Sequence, residues 1–371
     1  MENLQNTNGL TIVTVNYNSS KFLKKLLESI QCNGESGYPL EVLIVDDSSP
    51  VEAETAQDLC YKYGAWYLWC QGNVARKRNF GVENASYPII LFTDSDCELS
   101  PAAIHEHLKL ESTGPEIGAM LGLVEFTGPV NWMWHVVERT GLVGAYSFAR
   151  RMPYAPWGIT ANLSVKRTVF QKIGGFDESF LKAPGGEDVD LGLRINDAGY
   201  KIVSNPDALI FHTRDTWNTT RKMLRRAFAY GRAHYHVIIK HLNRTGYEFP
   251  RFASVFFLIS LLLLVRVAIT LQWQSLVGCI IFPLAVLLCQ AFLDLRSEGL
   301  GVKELPRELI AHILDLTFEW GLIFESLLRH DLRGFWVKII YAERQLINER
   351  PHKIIQSWSL IVGFLVLLIL L

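Results

Sequence analysis

The feature that most constrains the fold is a short apolar run that ends in two aspartates. Residues 88–92 read Pro-Ile-Ile-Leu-Phe, and they lead directly into Thr93, Asp94, Ser95 and Asp96. An apolar run of this length, bounded by proline and by a polar turn, predicts a buried β-strand. The strand delivers two carboxylates, one residue apart, to its carboxyl end, which is where open α/β sheets place their ligands.

Two neighbouring carboxylates at a strand end suit a divalent cation. Hard ions such as Mg²⁺ or Mn²⁺ take carboxylate oxygens and share their coordination with substrate phosphates, so Asp94 and Asp96 are candidate metal ligands. The structural alternative is that Asp96 or Ser100 caps a helix that begins at Pro101. The motif alone leaves both interpretations open.

Strand and helix patterns alternate along the first part of the chain. A β-branched, alternating segment at 10–16 predicts a strand, and apolar residues at helical spacing follow it. The same succession recurs over 40–63 and 65–85 before the strand at 88–92, and a further strand is expected over 117–126. This order predicts parallel βαβ units with right-handed crossovers, and therefore an α/β fold.

The loops after these strands carry the groups that a nucleoside diphosphate requires. Tyr17 could stack on a base, the pair Asp46 and Asp47 could accept hydrogen bonds from it, and Arg78 could reach a carbonyl oxygen or a phosphate. Asp94 lies within the same constellation. A Gly-x-Gly-x-x-Gly after the first strand and a P-loop pattern are both missing from the sequence, which argues against a dinucleotide fold and a P-loop NTPase.

A second acidic motif opens a helix later in the chain. Gly185 and Gly186 precede Glu187 and Asp188, and an apolar helical pattern follows. Acidic residues in a first turn stabilise a helix through its dipole, which is the structural alternative. The functional interpretation is general base catalysis, in which a carboxylate removes a proton from an acceptor hydroxyl while the two glycines let the acceptor approach the backbone.

Aromatic residues are concentrated between 128 and 157. Trp132, Trp134 and Trp157 could form a platform on which an acceptor sugar stacks. Aromatic side chains also dominate ordinary hydrophobic cores, so a structural role is the alternative.

In their order along the chain, these motifs resemble the family 2 glycosyltransferases of GT-A fold. The resemblance covers roughly residues 10–215. The matching segments are Thr-Val-Asn-Tyr-Asn at 14–18, Val-Asp-Asp-Ser at 45–48, Arg-Asn-Phe-Gly at 78–81, Thr-Asp-Ser-Asp at 93–96, Ala-Asn-Leu-Ser-Val-Lys at 161–166, Ile-Gly-Gly-Phe-Asp-Glu at 173–178, Gly-Gly-Glu-Asp-Val-Asp-Leu at 185–191, and His212.

The resemblance implies a Rossmann-like, nucleotide-sugar-binding domain that uses Mg²⁺ or Mn²⁺. It implies that Asp188, next to Glu187, is the catalytic base, and that His212 completes the metal site with Asp94 and Asp96 or contacts a phosphate. A single base acting opposite the departing nucleotide implies inversion at the anomeric carbon. The expected donor is a uridine diphosphate sugar, and the expected acceptor is a lipid-linked or membrane-proximal glycan, with Trp157, Gly185 and Gly186 at the acceptor site.

The remainder of the chain predicts a helical membrane region. Residues 252–271 and 276–293 are each close to the ~20 apolar residues that span a bilayer. The basic, aromatic-bearing segment within 216–250 predicts an interfacial helix that contacts membrane lipids. Nucleic acid is the competing partner for such a patch, but a formal net charge of −1 and a pI near 6.8 argue against it.

The helix expected at 309–328 carries a polar stripe. Glu308, His312, Asp315 and Glu319 share one face, which favours an amphipathic helix at the membrane surface over a third ordinary span.

The predicted organisation is therefore a catalytic domain followed by membrane-associated segments. The predicted spans have basic flanks, the first residues are polar and lack a hydrophobic signal core, and the cysteines show neither disulfide nor zinc spacing. Together these features predict a multi-pass membrane protein with a cytosolic catalytic domain. The predicted parts are a GT-A domain at 1–215, a basic interfacial helix at 216–250, a transmembrane hairpin at 251–295, amphipathic helices at 296–355 and a C-terminal transmembrane segment at 356–371.

Two other functions remain open from the sequence. One is a polyprenyl-phosphate glycosyltransferase, whose acceptor phosphate needs no general base. The other is a non-catalytic subunit that binds a nucleotide sugar within a polysaccharide assembly.

Overall fold

The protein is described here from a computed structural model, and its contacts divide the chain into two compact units. The first unit runs to Pro129 and resumes over Gly144–Thr216, and the second comprises Val130–Val143 and the chain from Trp217 onward. The structure describes residues 9–33, 38–180, 185–248, 251–271, 274–341, 358–359 and 361–363.

Most strands belong to the first unit, and two short strands belong to the second. The strands are β1 (Leu10–Asn16), β2 (Leu40–Asp46), β3 (Trp66–Trp69), β4 (Ile89–Asp94), β5 (Cys97–Leu99), β6 (Ile117–Thr127), β7 (Tyr154–Ala155), β8 (Asn162–Lys166), β9 (Lys201–Thr213), β10 (Thr245–Tyr247) and β11 (Val337–Ile339).

The helices change in character along the chain, from short helices around the sheet to long apolar ones. They are α1 (Ser20–Cys32), α2 (Pro50–Tyr63), α3 (Val74–Glu83), α4 (Ala103–Leu108), α5 (Trp132–Val137), α6 (Phe148–Arg151), α7 (Arg167–Lys172), α8 (Glu187–Asp197), α9 (Thr220–Lys240), α10 (Phe252–Thr270), α11 (Gln274–Ser297) and α12 (Leu305–Leu328).

Within the described part of the first unit, the strands form one nine-stranded mixed sheet in the order β3-β2-β1-β4-β8-β6-β9-β5, with β7 added against β9. The pairs β1–β2, β2–β3 and β1–β4 are parallel, which confirms the predicted βαβ units. The strands at the centre carry the core because they are covered on both faces. Leu10, Ile12, Ile90, Leu91 and Phe92 have no exposed surface, and each such side chain contributes roughly 1.5–3 kcal/mol by its burial.

The second half of the sheet is antiparallel around one strand. β8 pairs antiparallel with both β4 and β6, while β6 and β9 run parallel to each other. The predicted strand at 117–126 is confirmed as β6. The short strand β5 pairs antiparallel with β9, in a register that places Cys97 opposite His212. Because of this pairing, the aspartate turn after β4 lies next to the end of β9, which is more than a hundred residues later in the sequence.

The second unit is mainly helical, and its helices α9 and α12 meet at glycines. A Cβ atom on Gly231 of α9 would lie 1.9 Å from the carbonyl oxygen of Phe318, and one on Gly321 of α12 would lie 2.1 Å from that of Phe228. Glycine at both crossing points therefore lets the two backbones touch.

Two residues of the polar stripe of α12, Glu308 and His312, lie in the interior of the second unit. Glu308 pairs with Arg139 at 2.7 Å, and the His312 ring lies 3.0 Å from Asp294. Glu308 and His312 are buried, while Ile313, Phe324, Leu327 and Leu328 on the same helix are exposed. Glu308 and His312 are therefore shielded from water by Arg139, which follows α5, and by Asp294 of α11.

One helix among the described residues, Phe252–Thr270, is long and apolar enough to cross a membrane, with a mean hydropathy of 2.6. It covers all but the last residue of the first predicted span, 252–271. The second, 276–293, lies within α11, which contains Pro283, and part of its side chains lies outside the described residues. The predicted C-terminal span at 356–371 is described only at 358–359 and 361–363, which are helical.

Candidate active site

The aspartates at the strand ends meet because the parallel strands share one register. Asn16, the last residue of β1, lies beside Asp46 of β2, and Val15 lies beside Asp94 of β4. Parallel strands place their carboxyl ends on one edge of a sheet, so two acidic motifs nearly fifty residues apart in sequence become neighbours. The candidate site is built on this edge, entirely within the first unit.

Asp46 holds the loops at this sheet edge in place through its hydrogen bonds. Its carboxylate is fully buried and accepts hydrogen bonds from the Asn16 amide at 3.0 Å, the Ser48 hydroxyl at 2.5 Å and the Tyr67 hydroxyl at 2.9 Å. Burial and this bond to Asp46 raise the pKa of Tyr67. The Ser48 hydroxyl also accepts from the Asn18 backbone N–H at 2.7 Å, which fixes the loop after β1 to the loop after β2.

Asp47, the next residue, faces a lysine and an aromatic ring. The Lys77 ammonium lies 2.5 Å from Asp47 Oδ1 and 5.5 Å from the centre of the Tyr17 ring. Tyr17 is 61% exposed, so its ring forms open surface next to a carboxylate. The backbone N–H of Gly72 donates to the other Asp47 oxygen at 3.4 Å.

Arg78 connects the strand edge to the second acidic motif. Its guanidinium donates to Glu187 Oε1 at 2.9 Å and to Asp94 Oδ1 at 3.3 Å, and it lies 5.4 Å from the centre of the Phe176 ring. Arg78 and Glu187 are buried, whereas the Asp94 side chain is 35% exposed. Three of the residues chosen from sequence thus meet in one ion-paired group.

The loop before α8 holds this group in place. Gly185 and Gly186 have φ angles of 135° and 84°, in the left-handed region that disfavours side chains. The Gly185 backbone N–H donates to Glu187 Oε2 at 2.8 Å, so both Glu187 oxygens are engaged. Glu187 therefore positions Arg78 and the loop, and the neighbouring Asp188 is the better placed of the two carboxylates for proton transfer.

Asp188 has the electrostatics of a base at neutral pH. Burial, and then the charge of Glu187, raise the pKa of Asp188 to about 7, and the positive charge of Arg78 opposes that shift. Asp188 is half-buried at the start of α8, with one oxygen accepting from the Val189 backbone N–H at 2.8 Å. A carboxylate whose pKa is near the working pH can take up a proton and release it again.

Asp96 lies against His212, as the ladder between β5 and β9 requires. The Nε2 atom of His212 is 3.4 Å from Asp96 Oδ1, and the Thr216 hydroxyl donates to Asp96 Oδ2 at 3.1 Å. His212 Nδ1 lies 3.0 Å from the Thr213 carbonyl oxygen, which can only accept, so Nδ1 carries the proton.

This arrangement fits a hard divalent cation. His212 Nε2 and the Asp96 carboxylate face each other, so both could serve as ligands of one cation. Ligand atoms of Asp96, Cys97 and His212 lie within 4.8 Å of one another. Burial, with the charges of Asp96 and Asp94, raises the pKa of the Cys97 thiol well above its ordinary value. Cys97 therefore remains a thiol, and oxygen and imidazole donors are left for Mg²⁺ or Mn²⁺.

The tryptophans do not form the exposed platform that the sequence allowed. Trp157 is 9% exposed and packs edge-on against Phe148 with ring centres 5.5 Å apart. A Cβ atom on Gly192 of α8 would lie 2.5 Å from Trp157, so this tryptophan lies directly against the helix that carries Asp188. Trp134 is 3% exposed, and it lies with the exposed Trp132 on α5, in the second unit. Trp134 and Trp157 are therefore core residues, which is the structural alternative that the sequence left open.

Sequence analysis missed Lys77 and Phe176. Lys77 lies in the run Arg76-Lys77-Arg78, and the run itself was the available signal. Helical geometry separates successive side chains by about 100°, so the three cations cannot share one environment. Arg76 remains exposed beside Glu178, whereas Lys77 and Arg78 are buried against the site.

The chain has recognisable relatives. Residues 11–174 match the protein-family model of glycosyl transferase family 2, and residues 141–215 match the model described as the N-terminal domain of galactosyltransferase. Both matches fall almost entirely on the first unit, which contains the mixed α/β sheet.

Two curated proteins illustrate the similarity. Over 150 residues the chain is 31% identical to the O-antigen biosynthesis protein RfbC of Myxococcus xanthus, a match that covers 36% of this chain and 12% of that protein. Over 222 residues it is 26% identical to validoxylamine A glucosyltransferase of Streptomyces hygroscopicus subsp. limoneus, covering 51% of this chain and 48% of the relative. The chain thus spans about half or less of the length of these relatives.

Among solved structures, the chain is similar to the mannosyltransferase PcManGT from Pyrobaculum calidifontis, determined in complex with GDP-Man and Mn²⁺. The TM-score is 0.48 at 15% sequence identity, and the match covers 98% of this chain and 88% of that one.

Proposed function

We propose that this chain, which carries a glycosyltransferase family 2 domain over residues 11–174, is an inverting, metal-dependent hexosyltransferase. It transfers a sugar from a uridine diphosphate sugar to a hydroxyl of a lipid-linked or membrane-proximal acceptor. The observation that carries the proposal is the group in which Arg78 joins Asp94 to Glu187, next to Asp188, whose pKa is about 7.

The donor occupies the edge formed by the ends of β1, β2 and β4. The exposed Tyr17 ring receives the base, and Asp47 accepts a hydrogen bond from it. Asp46, which is buried, holds this loop in shape through Asn16 and Ser48. Asp94, partly exposed and paired with Arg78, lies on the side from which the diphosphate and the sugar extend.

Asp96 and His212, with Asp94 next to them, are the residues that would hold a divalent cation. Such an ion supplies a Lewis acid that neutralises the charge developing on the leaving diphosphate, so no separate protein acid is required. The protein's own contribution is to fix the ligands. The Thr216 hydroxyl orients Asp96, and the Thr213 carbonyl sets the proton of His212 on Nδ1.

Transfer is a single displacement. The Asp188 carboxylate takes the proton of the acceptor hydroxyl as that oxygen bonds to the anomeric carbon. The bond between this carbon and the diphosphate oxygen breaks, and the electron pair leaves with the nucleoside diphosphate. Attack from the face opposite the leaving group inverts the configuration at the anomeric carbon. Gly185 and Gly186 leave room for the acceptor, and Trp157 supports α8 from beneath.

A membrane-proximal acceptor is supported by the second unit. The helix Phe252–Thr270 can cross a bilayer by length and composition, and it exposes large apolar side chains such as Leu258, Leu261 and Leu262. The similarity to an O-antigen biosynthesis protein supports a role in glycan or polysaccharide synthesis. We place the first unit on the cytosolic side of a multi-pass protein.

Replacing the base tests the function. The change Asp188→Asn keeps the shape of the side chain but removes the proton acceptor, so we expect sugar transfer to fall by roughly 10²–10⁴-fold. Donor binding should stay within about twofold of the wild type. The donor is first identified by screening nucleotide sugars for thermal stabilisation of the protein. Transfer is then measured in a single-turnover assay, and donor binding by calorimetric titration. The exposed Asp58→Asn on α2 is the matched control.

The outcomes separate the alternatives. Full transfer by Asp188→Asn would reject Asp188 as the base and favour a phosphate acceptor of the polyprenyl type. Donor binding without transfer or sugar release in the wild type would favour a non-catalytic binding subunit.

A further inference from the structure

A second cluster of candidate metal ligands lies in the second unit, where two helices meet. Asp294 lies near the end of α11, and Glu308 and His312 lie one turn apart near the start of α12. Ligand atoms of the three side chains lie within 4.8 Å of one another. All three side chains are at most 6% exposed, so the cluster is shielded from bulk water. The candidate active site, by contrast, belongs to the first unit.

The distances within the cluster suit one bound ion. His312 Nε2 lies 3.0 Å from Asp294 Oδ2 and 3.5 Å from Glu308 Oε1. Two ligand atoms that each lie about 2.1 Å from one ion are about 3.0 Å apart in octahedral geometry and about 3.4 Å apart in tetrahedral geometry. One nitrogen and two carboxylate oxygens are therefore spaced as neighbouring ligands of a single ion.

The outer oxygen of each carboxylate is held by a neighbouring donor. The Gln290 side-chain amide donates to Asp294 Oδ1 at 3.1 Å. Arg139 donates to Glu308 Oε2 at 2.7 Å. In both carboxylates the other oxygen is the one that lies against His312 Nε2. Outer partners of this kind orient the ligands of protein metal sites, so this observation supports a site independently of the spacing.

The charges of the cluster also favour a cation. Two carboxylates in a buried site are costly unless positive charge compensates them. Arg139 contacts Glu308, but it also contacts the exposed Glu298 at 3.1 Å, so its charge is shared between two carboxylates. A divalent cation between Asp294 and Glu308 would compensate both buried groups at once.

We propose that Asp294, Glu308 and His312 bind a divalent transition metal, Zn²⁺ or Mn²⁺, that joins α11 to α12. The imidazole ligand favours these ions over Mg²⁺ and Ca²⁺, which prefer oxygen ligands. Because the ion contacts both helices, its binding stabilises the helix pair and the segment that connects them. The inference does not depend on the proposed function, since each ligand belongs to the second unit.

A charged cluster without metal is the competing explanation. In that case a protonated His312 would donate to Asp294 and compensate the carboxylates by itself, while Arg139 kept its bond to Glu308. Such a cluster would stabilise the same helices but would bind no metal ion. Metal content is therefore the informative measurement.

The experiment counts metal bound by the full-length protein in detergent. Asp96→Ala serves as the background, so that the candidate active site does not contribute. After EDTA treatment and dialysis, the protein is equilibrated separately with Zn²⁺ and Mn²⁺, and bound metal is measured by inductively coupled plasma mass spectrometry. We expect one equivalent of at least one of the two ions. His312→Gln in this background should weaken that binding at least ~10-fold, whereas His135→Gln, an exposed histidine beside Glu138, should retain it.

A second variant tests the outer partner. Gln290→Leu leaves the three ligands in place but removes the hydrogen bond to Asp294, so we expect affinity to fall by roughly 10–100-fold. The bound ion should also raise the melting temperature of the Asp96→Ala protein, because it binds the folded state, and should not raise that of the double variant with His312→Gln.

Absence of bound Zn²⁺ and Mn²⁺ in the Asp96→Ala protein would overturn the inference. Equal binding after His312→Gln would overturn it as well. If His312→Gln does not fold, Gln290→Leu decides, and unchanged affinity in that variant would reject the site. The proposed function would stand in each of these cases, because Asp96 and His212 are tested separately by transfer.

Discussion

At the scale of single residues, the candidate site is an arrangement of compensated charges. Asp46 is satisfied by three donors, Asp47 by Lys77, and Glu187 by Arg78 and a backbone N–H. Asp188 differs from these carboxylates because burial and the adjacent Glu187 make its ionised form costly. Fixed ion pairs around one carboxyl of raised pKa are typical of acid–base catalysis.

The raised pKa of Asp188 predicts the pH profile of transfer. The base acts only when ionised, so kcat/KM should rise about tenfold per pH unit below pH 7 and level off above it. The stability effect has the opposite sign. Because the folded pKa lies above the unfolded value, protonated Asp188 stabilises the fold at low pH, and this contribution is lost as pH rises through about 7. A rate that is flat between pH 5.5 and 8 would contradict the assignment.

Removal of divalent metal should abolish transfer. Asp96 and His212 face each other with donor atoms that suit Mg²⁺ or Mn²⁺, so chelation by EDTA should stop the reaction and either ion should restore it. Asp96→Ala should reproduce the loss even in excess metal, whereas Glu98→Ala, an exposed neighbour beside Lys25, should not. Full activity after complete chelation would exclude metal dependence.

At the scale of secondary-structure elements, Arg78 is the contact that joins α3, β4 and α8. Arg78→Met would leave Glu187 buried without its guanidinium partner, which typically costs about 3–5 kcal/mol. Arg76→Met is the matched control on the same helix. Its pair with Glu178 is exposed and screened by water, so we expect little or no loss of stability. Urea denaturation of the purified protein measures both, and equal losses would refute the role given to Arg78.

The crossing of α9 and α12 depends on glycine. Gly231→Ala gains about 1 kcal/mol in helix propensity, but its Cβ would lie 1.9 Å from a backbone oxygen that cannot rotate away. Overpacking of this kind costs roughly 1–3 kcal/mol or more, so we expect a lower melting temperature. Gly141→Ala meets no atom within 4 Å and should be neutral. A melting temperature for Gly231→Ala equal to the wild type would show that the helices can separate at little cost.

At the scale of the whole molecule, two units of different composition share one chain. The first buries its apolar residues in a sheet, whereas α10 in the second leaves Leu261, Leu262, Leu264 and Val265 exposed. Exposed aliphatic surface on a helix of 19 residues is suited to lipid.

The exposed face of α10 predicts firm membrane attachment. The protein should remain in the membrane fraction after an alkaline carbonate wash. Leu262→Arg, which places a charge on the exposed face near the middle of α10, should weaken retention because arginine costs roughly 2.5–3.5 kcal/mol at that depth. Tyr61→Arg, on an exposed position of the first unit, should leave retention unchanged. Release of the wild type as a soluble, monodisperse protein would contradict a membrane span.

The sequence by itself determined the elements and the chemistry of their ends. Hydrophobic periodicity located β1, β2, β4 and β6, because burial requires it. The acidic turns were visible because polar residues directly after a buried strand can lie only at an edge of the sheet.

Only the tertiary structure decided which of these groups meet. The pairing of β5 with β9 sets Asp96 against His212, and the packing of α3 sets Lys77 on Asp47 and Arg78 on Glu187. Tertiary packing also buries Trp157 and the polar side chains of Glu308 and His312 on α12. Periodicity tells which face of an element is apolar, but not which distant element covers it. That choice depends on contacts between residues far apart in the chain, and local pattern does not carry it.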